Sequence, residues 1–143
     1  ADIASESLPD RTEEMGMELF QRDEPDGYAE KGTEWIDTPG LLSRTNFCQG
    51  LGNGANHSRG DWDLDATLLA NGIQTPDELV DYFDHLLVAD RLPAVRRAVF
   101  LDFANTDDLG SPSPFDSLSS GQRRTRLRAL TGLILSTPEF LFP

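Results

Sequence analysis

Cysteine and positive charge are both scarce in this chain of 143 residues, and each shortage excludes a class of protein. The single cysteine, Cys48, rules out an intrachain disulfide and a zinc site built on several cysteines. Lysine and arginine number 12 against 25 aspartates and glutamates, which gives a formal net charge of -13. Because nucleic acids and anionic lipids bind to cationic surfaces, we expect no nucleic-acid partner and no adsorption to an anionic membrane.

Long apolar runs and strand patterns are also lacking. No run approaches the ~18 apolar residues that span a bilayer, so we expect no transmembrane segment. The first residues carry neither a basic nor an apolar stretch, so we expect no signal peptide within this chain. No segment alternates apolar and polar residues with β-branched side chains. The expected fold class is therefore all-α, an irregular helical bundle whose long loops follow from 9 prolines and 12 glycines.

Helix start signals are present at two clear places. Thr38-Pro39 combines a capping residue with a proline at the first helical position, and the helix is expected to end near Leu51, among three glycines. Thr75-Pro76-Asp77-Glu78 adds a capping-box acid and starts a helix that ends near Leu87. Further helices or turns are predicted over residues 10–21, 61–70, 93–103, 122–136 and 137–140.

The order of these segments predicts one helical domain. Residues 1–9 are expected to form a disordered or extended lead-in, and residues 10–143 a single α-helical domain. Within it, residues 105–121 are rich in serine, proline, aspartate and glycine and are expected to form a mobile connection.

Arg44 lies inside the apolar arc of the helix that begins at Thr38, between Leu51 and Cys48 on a helical wheel. A buried guanidinium must be paired or hydrogen-bonded. We therefore expect Arg44 to reach a carboxylate or backbone carbonyls.

Several short motifs, in one order along the chain, resemble a large bacterial family catalogued as domain of unknown function 1800. The motifs are Met15-Gly16-x-x-Leu19-Phe20, Pro25-Asp26-Gly27-Tyr28, the Trp35 segment, Leu41-Leu42-x-Arg44-x-Asn46-Phe47, the helix from Asp77 to Leu87 and Ser136-x-Pro138-Glu139-Phe140. The similarity covers about residues 15–140 and corresponds to the C-terminal portion of family members. The resemblance implies an exported, periplasmic or extracellular, predominantly helical bacterial protein whose complete form is several times longer. It supplies no activity, cofactor or catalytic residue, so we expect no cofactor and name no catalytic residue.

Acidic segments are the candidates for a cation site. Asp61, Asp63 and Asp65 alternate like the first half of a calcium loop, but Ala66 and Gly72 occupy the positions where such a loop needs glycine and glutamate. A structural role is the alternative for these three. The loop over residues 23–37 is also acidic but lacks regular ligand spacing, and its alternative role is turn formation with an ion pair to Arg44.

Basic residues are concentrated in the last long helix, at Arg123, Arg124, Arg126 and Arg128. They lie in its first half, where the helix dipole disfavours cations. Another interaction should therefore compensate for this unfavourable position. One interpretation is docking onto carboxylates of the same protein, and the other is contact with an anion.

Two functions from different classes follow. The first is a non-catalytic assembly or binding module whose partner is another protein chain or the missing N-terminal part of the same protein. The second is the C-terminal part of an enzyme acting on extracellular polymers, possibly cation-dependent, with a cleft lined by Asp26, Tyr28 and Trp35. Candidate binding residues are Asp26, Tyr28, Trp35, Arg44, Arg123 and Arg124. Whether the chain is an enzyme is left open by the sequence.

Overall fold

The computed structural model describes Glu13, Met15, residues 38–52 and residues 64–141, apart from the side chains of Leu64 and Asp65. The regular elements in this part of the chain are α1 (Thr38–Gly52), α2 (Leu64–Ala70), α3 (Pro76–Val88), α4 (Ala94–Asn105), a 3₁₀ turn (Phe115–Ser117), α5 (Ser120–Leu135) and α6 (Pro138–Leu141). Apart from an isolated bridge between Thr106 and Pro112, the described residues contain no β-structure. The all-α prediction is confirmed.

Contacts within the chain group it into two compact units, Ala1–Phe47 and Cys48–Pro143. The single domain predicted over residues 10–143 stays a prediction. The predicted lead-in, residues 1–9, and most of the helix predicted over residues 10–21 lie outside the described residues. No described helix has both the length and the apolar character needed to cross a membrane.

Helix α3 shows how local signals fix the elements of the second unit. Thr75 Oγ1 accepts the amide of Glu78 at 3.3 Å, and Glu78 Oε2 accepts the amides of Thr75 and Gln74 at 3.0 and 2.8 Å. This is the predicted capping box, and it lowers the pKa of Glu78 because backbone amides of Gln74 and Thr75 stabilise the ionised carboxylate. The helix ends at Ala89, whose φ of 54° lies in the left-handed region.

The core of the second unit lies where α2 to α5 meet. Its buried members are Leu68, Ile73, Leu79, Val80, Phe83, Phe100, Ala104, Leu130 and Ile134. Leu86 of α3 is 58% exposed, because it lies at the edge of the buried arc on the side of Tyr82. Burial of this many apolar side chains is the main stabilising contribution.

The segment from Asn105 to α5 is held by its own hydrogen bonds. Asp107 N donates to Ser111 O at 2.9 Å, and Ser113 N donates to Asn105 O at 2.7 Å. Asp107 Oδ1 accepts the amides of Leu109 and Ser111. These bonds define the path of the segment, while the mobility predicted for residues 105–121 stays a prediction.

The last turn of α1, which belongs to the second unit, approaches α5 closely at two glycines. A Cβ atom added at Gly52 would lie 2.4 Å from the backbone nitrogen of Gly132, and one added at Gly132 would lie 3.2 Å from Cα of Gln49. The neighbouring Cys48 is buried, and burial raises the pKa of its thiol because it disfavours the thiolate. Cys48 therefore acts as a small apolar packing residue.

Candidate functional site

The predicted acidic and aromatic site residues fall mainly outside the part of the chain that the structure describes. Asp26, Tyr28, Trp35, Asp61 and Asp63 lie outside it, and so does the side chain of Asp65, whose backbone belongs to the first turn of α2. Among the described residues, no three His, Cys, Asp or Glu side chains are placed to hold a metal ion together. Both cation sites therefore stay predictions.

Arg44 is partly buried in α1, and its Nη2 donates to the carbonyl oxygen of Met15 at 3.2 Å. The expectation that this guanidinium reaches a backbone carbonyl is confirmed. The contact joins Met15 to α1 within the first unit. A ligand-binding role for Arg44 stays a prediction.

The four arginines of α5 separate into two pairs. Arg126 is partly buried, and its Nη1 donates to Ala104 O at 3.1 Å and to Ser113 O at 2.9 Å. The expected carboxylate partner is therefore wrong for Arg126, because the last carbonyls of α4 present a partial negative charge that a cation can cap. Arg128 is also partly buried and interacts with other groups of the protein. This pair serves the fold.

Arg123 and Arg124 instead lie exposed beside a cleft of about 240 Å³. Its floor is formed by three buried side chains, Leu68, Ile73 and Phe115. The remaining lining residues are Leu69, Gln74, Ser120, Arg123, Arg124 and Leu127. Arg124 interacts with another group of the protein, whereas the hydrogen bonds and ion pairs of the described residues leave the guanidinium of Arg123 unengaged.

The sequence placed Arg123 and Arg124 on one helix but gave no sign of the cleft. Ile73 lies in the short turn after α2, and Phe115 starts the 3₁₀ turn more than forty residues later. Their convergence depends on how residues 106–119 return to α5. The floor of the cleft is therefore a product of the tertiary structure.

Helix α4 presents a second surface, a stripe of three apolar side chains. Val95 is 75% exposed, Val99 60% and Phe103 37%, and they recur at intervals of four residues. Intervals of four keep side chains on one face of a helix, so the three form one line, which we call the α4 stripe.

Helix α4 is attached to the rest of the second unit both beside and opposite the stripe. Phe100 and Ala104 are buried in the core, and Arg96 Nε lies 3.0 Å from Glu139 Oε2 of α6. Arg97 forms ion pairs with Asp77 and Asp81 of α3. The pKa of Arg97 is raised mainly by its hydrogen bond to Asp81 and also by the negative charges of the two carboxylates. The α4 stripe is thus displayed by a helix that is held on its other faces.

His85 belongs to neither the cleft nor the α4 stripe. His85 is 80% exposed, with Nδ1 3.1 Å from Asp90 Oδ2, as expected for a residue on the polar face of α3. His57 lies outside the described residues.

Comparison with known proteins identifies the chain only at the level of its family. The sequence model of a family described as "Protein of unknown function (DUF1800)" matches residues 4–142, so the chain belongs to this family. No curated protein and no solved structure matches it significantly. The resemblance expected from the motifs is confirmed.

Proposed function

We propose that this member of the DUF1800 family is a non-catalytic assembly or binding module of an exported, periplasmic or extracellular bacterial protein. Its contact surface includes the α4 stripe, and its partner is another protein chain. The observation that supports this proposal most directly is the exposure of Val95, Val99 and Phe103 in one line on a helix fixed from behind.

Single exposed apolar side chains are common on protein surfaces and need no explanation. An ordered line of them is different, because contiguous apolar patches mark interaction surfaces. An apolar helix face with anchors at intervals of four residues matches the way helices dock into grooves of partner proteins.

The charge of the chain constrains the partner. A second copy would bring another net charge of -13, and the mutual repulsion would oppose self-association. A less acidic, different polypeptide meets no such penalty. We therefore assign the α4 stripe to a hetero-association.

Site-specific photo-crosslinking in the native host tests this assignment. A photoreactive residue at Val99, the centre of the α4 stripe, should give at least fivefold more adduct with a second polypeptide than the same probe at Thr125, which is exposed on α5. Mass spectrometry then identifies the partner peptide. Equal yields at the two positions would contradict the proposal, and adducts confined to the protein's own chain would assign the face to an intramolecular contact instead.

The enzyme alternative depended on a cleft lined by Asp26, Tyr28 and Trp35, which lie outside the described residues. It stays a prediction.

A further inference from the structure

We propose that the cleft between α2, the 3₁₀ turn and α5 binds a small aliphatic carboxylate, with its chain on the apolar floor and its carboxylate against Arg123. This inference concerns a different surface and a different kind of ligand from the α4 stripe. Each can therefore fail without affecting the other.

The shape and lining of the cleft favour an apolar chain. Three of its lining side chains, Leu68, Ile73 and Phe115, are at most 7% exposed, so they form a fixed apolar floor. Leu69 and Leu127 add apolar walls. Concave, mostly apolar sites with a few placed polar groups are the usual form of small-molecule sites.

The volume limits the length of the chain. An engineered apolar cavity of roughly 150 Å³ accepts benzene, which has six non-hydrogen atoms. A cleft of about 240 Å³ therefore has room for roughly ten such atoms by the same ratio. Octanoate, with eight carbons and two oxygens, is a probe of that size.

The charge of the lining favours an anionic head group. Acids outnumber bases about two to one in the whole chain, yet the described lining residues include two arginines and no aspartate or glutamate. Both arginines also lie near the N-terminal end of a helix without an acid in its first turn. The cleft is thus a locally positive site on a strongly acidic protein, where an anion lowers the electrostatic energy.

Arg123 is the residue that can hold the carboxylate. Its guanidinium is exposed at the edge of the cleft, and binding breaks no ion pair that the described residues make with it. An arginine side chain can donate two parallel N–H groups to a carboxylate, which a lysine cannot do. Arg124 has its own contact within the protein and contributes a second positive charge nearby.

Titration of the full chain with octanoate, followed through its backbone amide NMR signals, tests the proposal. Saturable shifts are expected at cleft residues such as Ile73, Gln74 and Leu127, with a dissociation constant on the order of 1 mM for so shallow a site. Acetate, which has the head group without the chain, should bind at least tenfold more weakly. Octanamide, which has the chain without the charge, should bind about three- to fivefold more weakly, as expected for one exposed ion pair.

Matched variants separate the roles of head group and chain. Arg123→Gln should weaken octanoate binding about three- to fivefold and leave octanamide binding unchanged. Ala98→Glu makes the same change in net charge on α4, away from the cleft, and should alter octanoate binding less than twofold. Leu69→Ser should weaken binding of both ligands, whereas Leu109→Ser, at a site 91% exposed, should weaken neither.

The same NMR titration can distinguish two sources of such a carboxylate, the C-terminus of a polypeptide and a free fatty acid. A short peptide ending in leucine, with a free or an amidated C-terminus, represents a polypeptide end, and octanoate represents a free fatty acid. Carboxylate-dependent binding of either supports the cleft and identifies the source. Failure of both to give saturable shifts at the cleft, equal binding of acetate and octanoate, or equal effects of Arg123→Gln and Ala98→Glu would overturn the proposal.

Discussion

Replacing Gly52 by alanine should strongly destabilise the second unit, because the added methyl group has no space between α1 and α5. Its Cβ would lie 2.4 Å from the nitrogen and 2.6 Å from Cα of Gly132, and 3.0 Å from the carbonyl oxygen of Arg128. Normal contacts between carbon atoms are about 3.5–4.0 Å. All three neighbours are backbone atoms, so no side chain can rotate away, and the helices must separate by about 1 Å.

The cost can be estimated from this geometry. Overpacking a well-packed interior costs about 1–3 kcal/mol, and a clash between two backbones belongs at the upper end, at about 2–3 kcal/mol. At about 4 °C per kcal/mol for a chain of this size, the melting temperature should fall by about 8–12 °C. Thermal unfolding followed by circular dichroism, together with urea unfolding, measures both quantities.

Two glycines of α5, Gly132 and Gly121, provide controls for the change at Gly52 in α1. At Gly132 the added Cβ would lie 3.2 Å from Cα of Gln49, so a shift of a few tenths of an ångström is enough, and the gain in helix propensity of about 1 kcal/mol offsets much of that cost. At Gly121 no atom lies within 4 Å of the added Cβ, so Gly121→Ala should be neutral or stabilising. If Gly52→Ala stays within about 0.5 kcal/mol of wild type, or if Gly132→Ala costs as much, the reasoning from close helix approach is refuted.

Two further predictions concern polar groups that organise the helices. Thr75→Ala should destabilise the protein by about 1 kcal/mol in urea unfolding, because the amide of Glu78 loses its acceptor, whereas the same change at the exposed Thr125 should cost less. The folded-state pKa of Glu78 is below the ordinary value of 4.5. The stability that the ionised carboxylate contributes is therefore fully present above pH 4.5 and is lost as the pH falls through the folded-state pKa. The stability difference between wild type and Glu78→Ala should therefore shrink below about pH 4.5, and a difference that stays constant down to about pH 3 would contradict this role. Arg126→Met should cost about 1.5–3 kcal/mol, because carbonyl oxygens of Ala104 and Ser113 lose a charged donor, while Arg123→Met should change the free energy of unfolding little, and equal effects would count against a structural role for Arg126.

Local signals in the sequence predicted the helices well. The capping box of α3 follows from the side chains of a few adjacent residues, and the structure has it. Helix α1 begins at Thr38, one residue before the predicted first helical residue, Pro39. The capping box of α5, in which Ser119 pairs with Gln122, has the same kind of local signal, although the predicted start of that helix was Gln122. Such features are predictable because each donor and acceptor lies within one turn of its partner.

The candidate surfaces were much less predictable. Val99 and Phe100 are adjacent and both apolar, yet one is 60% exposed and the other 6%. Periodicity cannot tell which apolar face of α4 meets the core, because α4 carries apolar residues on more than one side. In the same way, Arg123 and Arg126 belong to one basic cluster, but only Arg126 points at the end of α4.

The sequence by itself determined the all-α class, the main helix starts, the acidic charge and the family, because these depend on residue type and on neighbours within a turn. The tertiary structure alone decided which arginines serve the fold, which glycine allows two helices to touch, and which apolar residues form the floor of a cleft or an exposed stripe. Each of these depends on contacts between segments tens of residues apart, whose geometry no local pattern encodes.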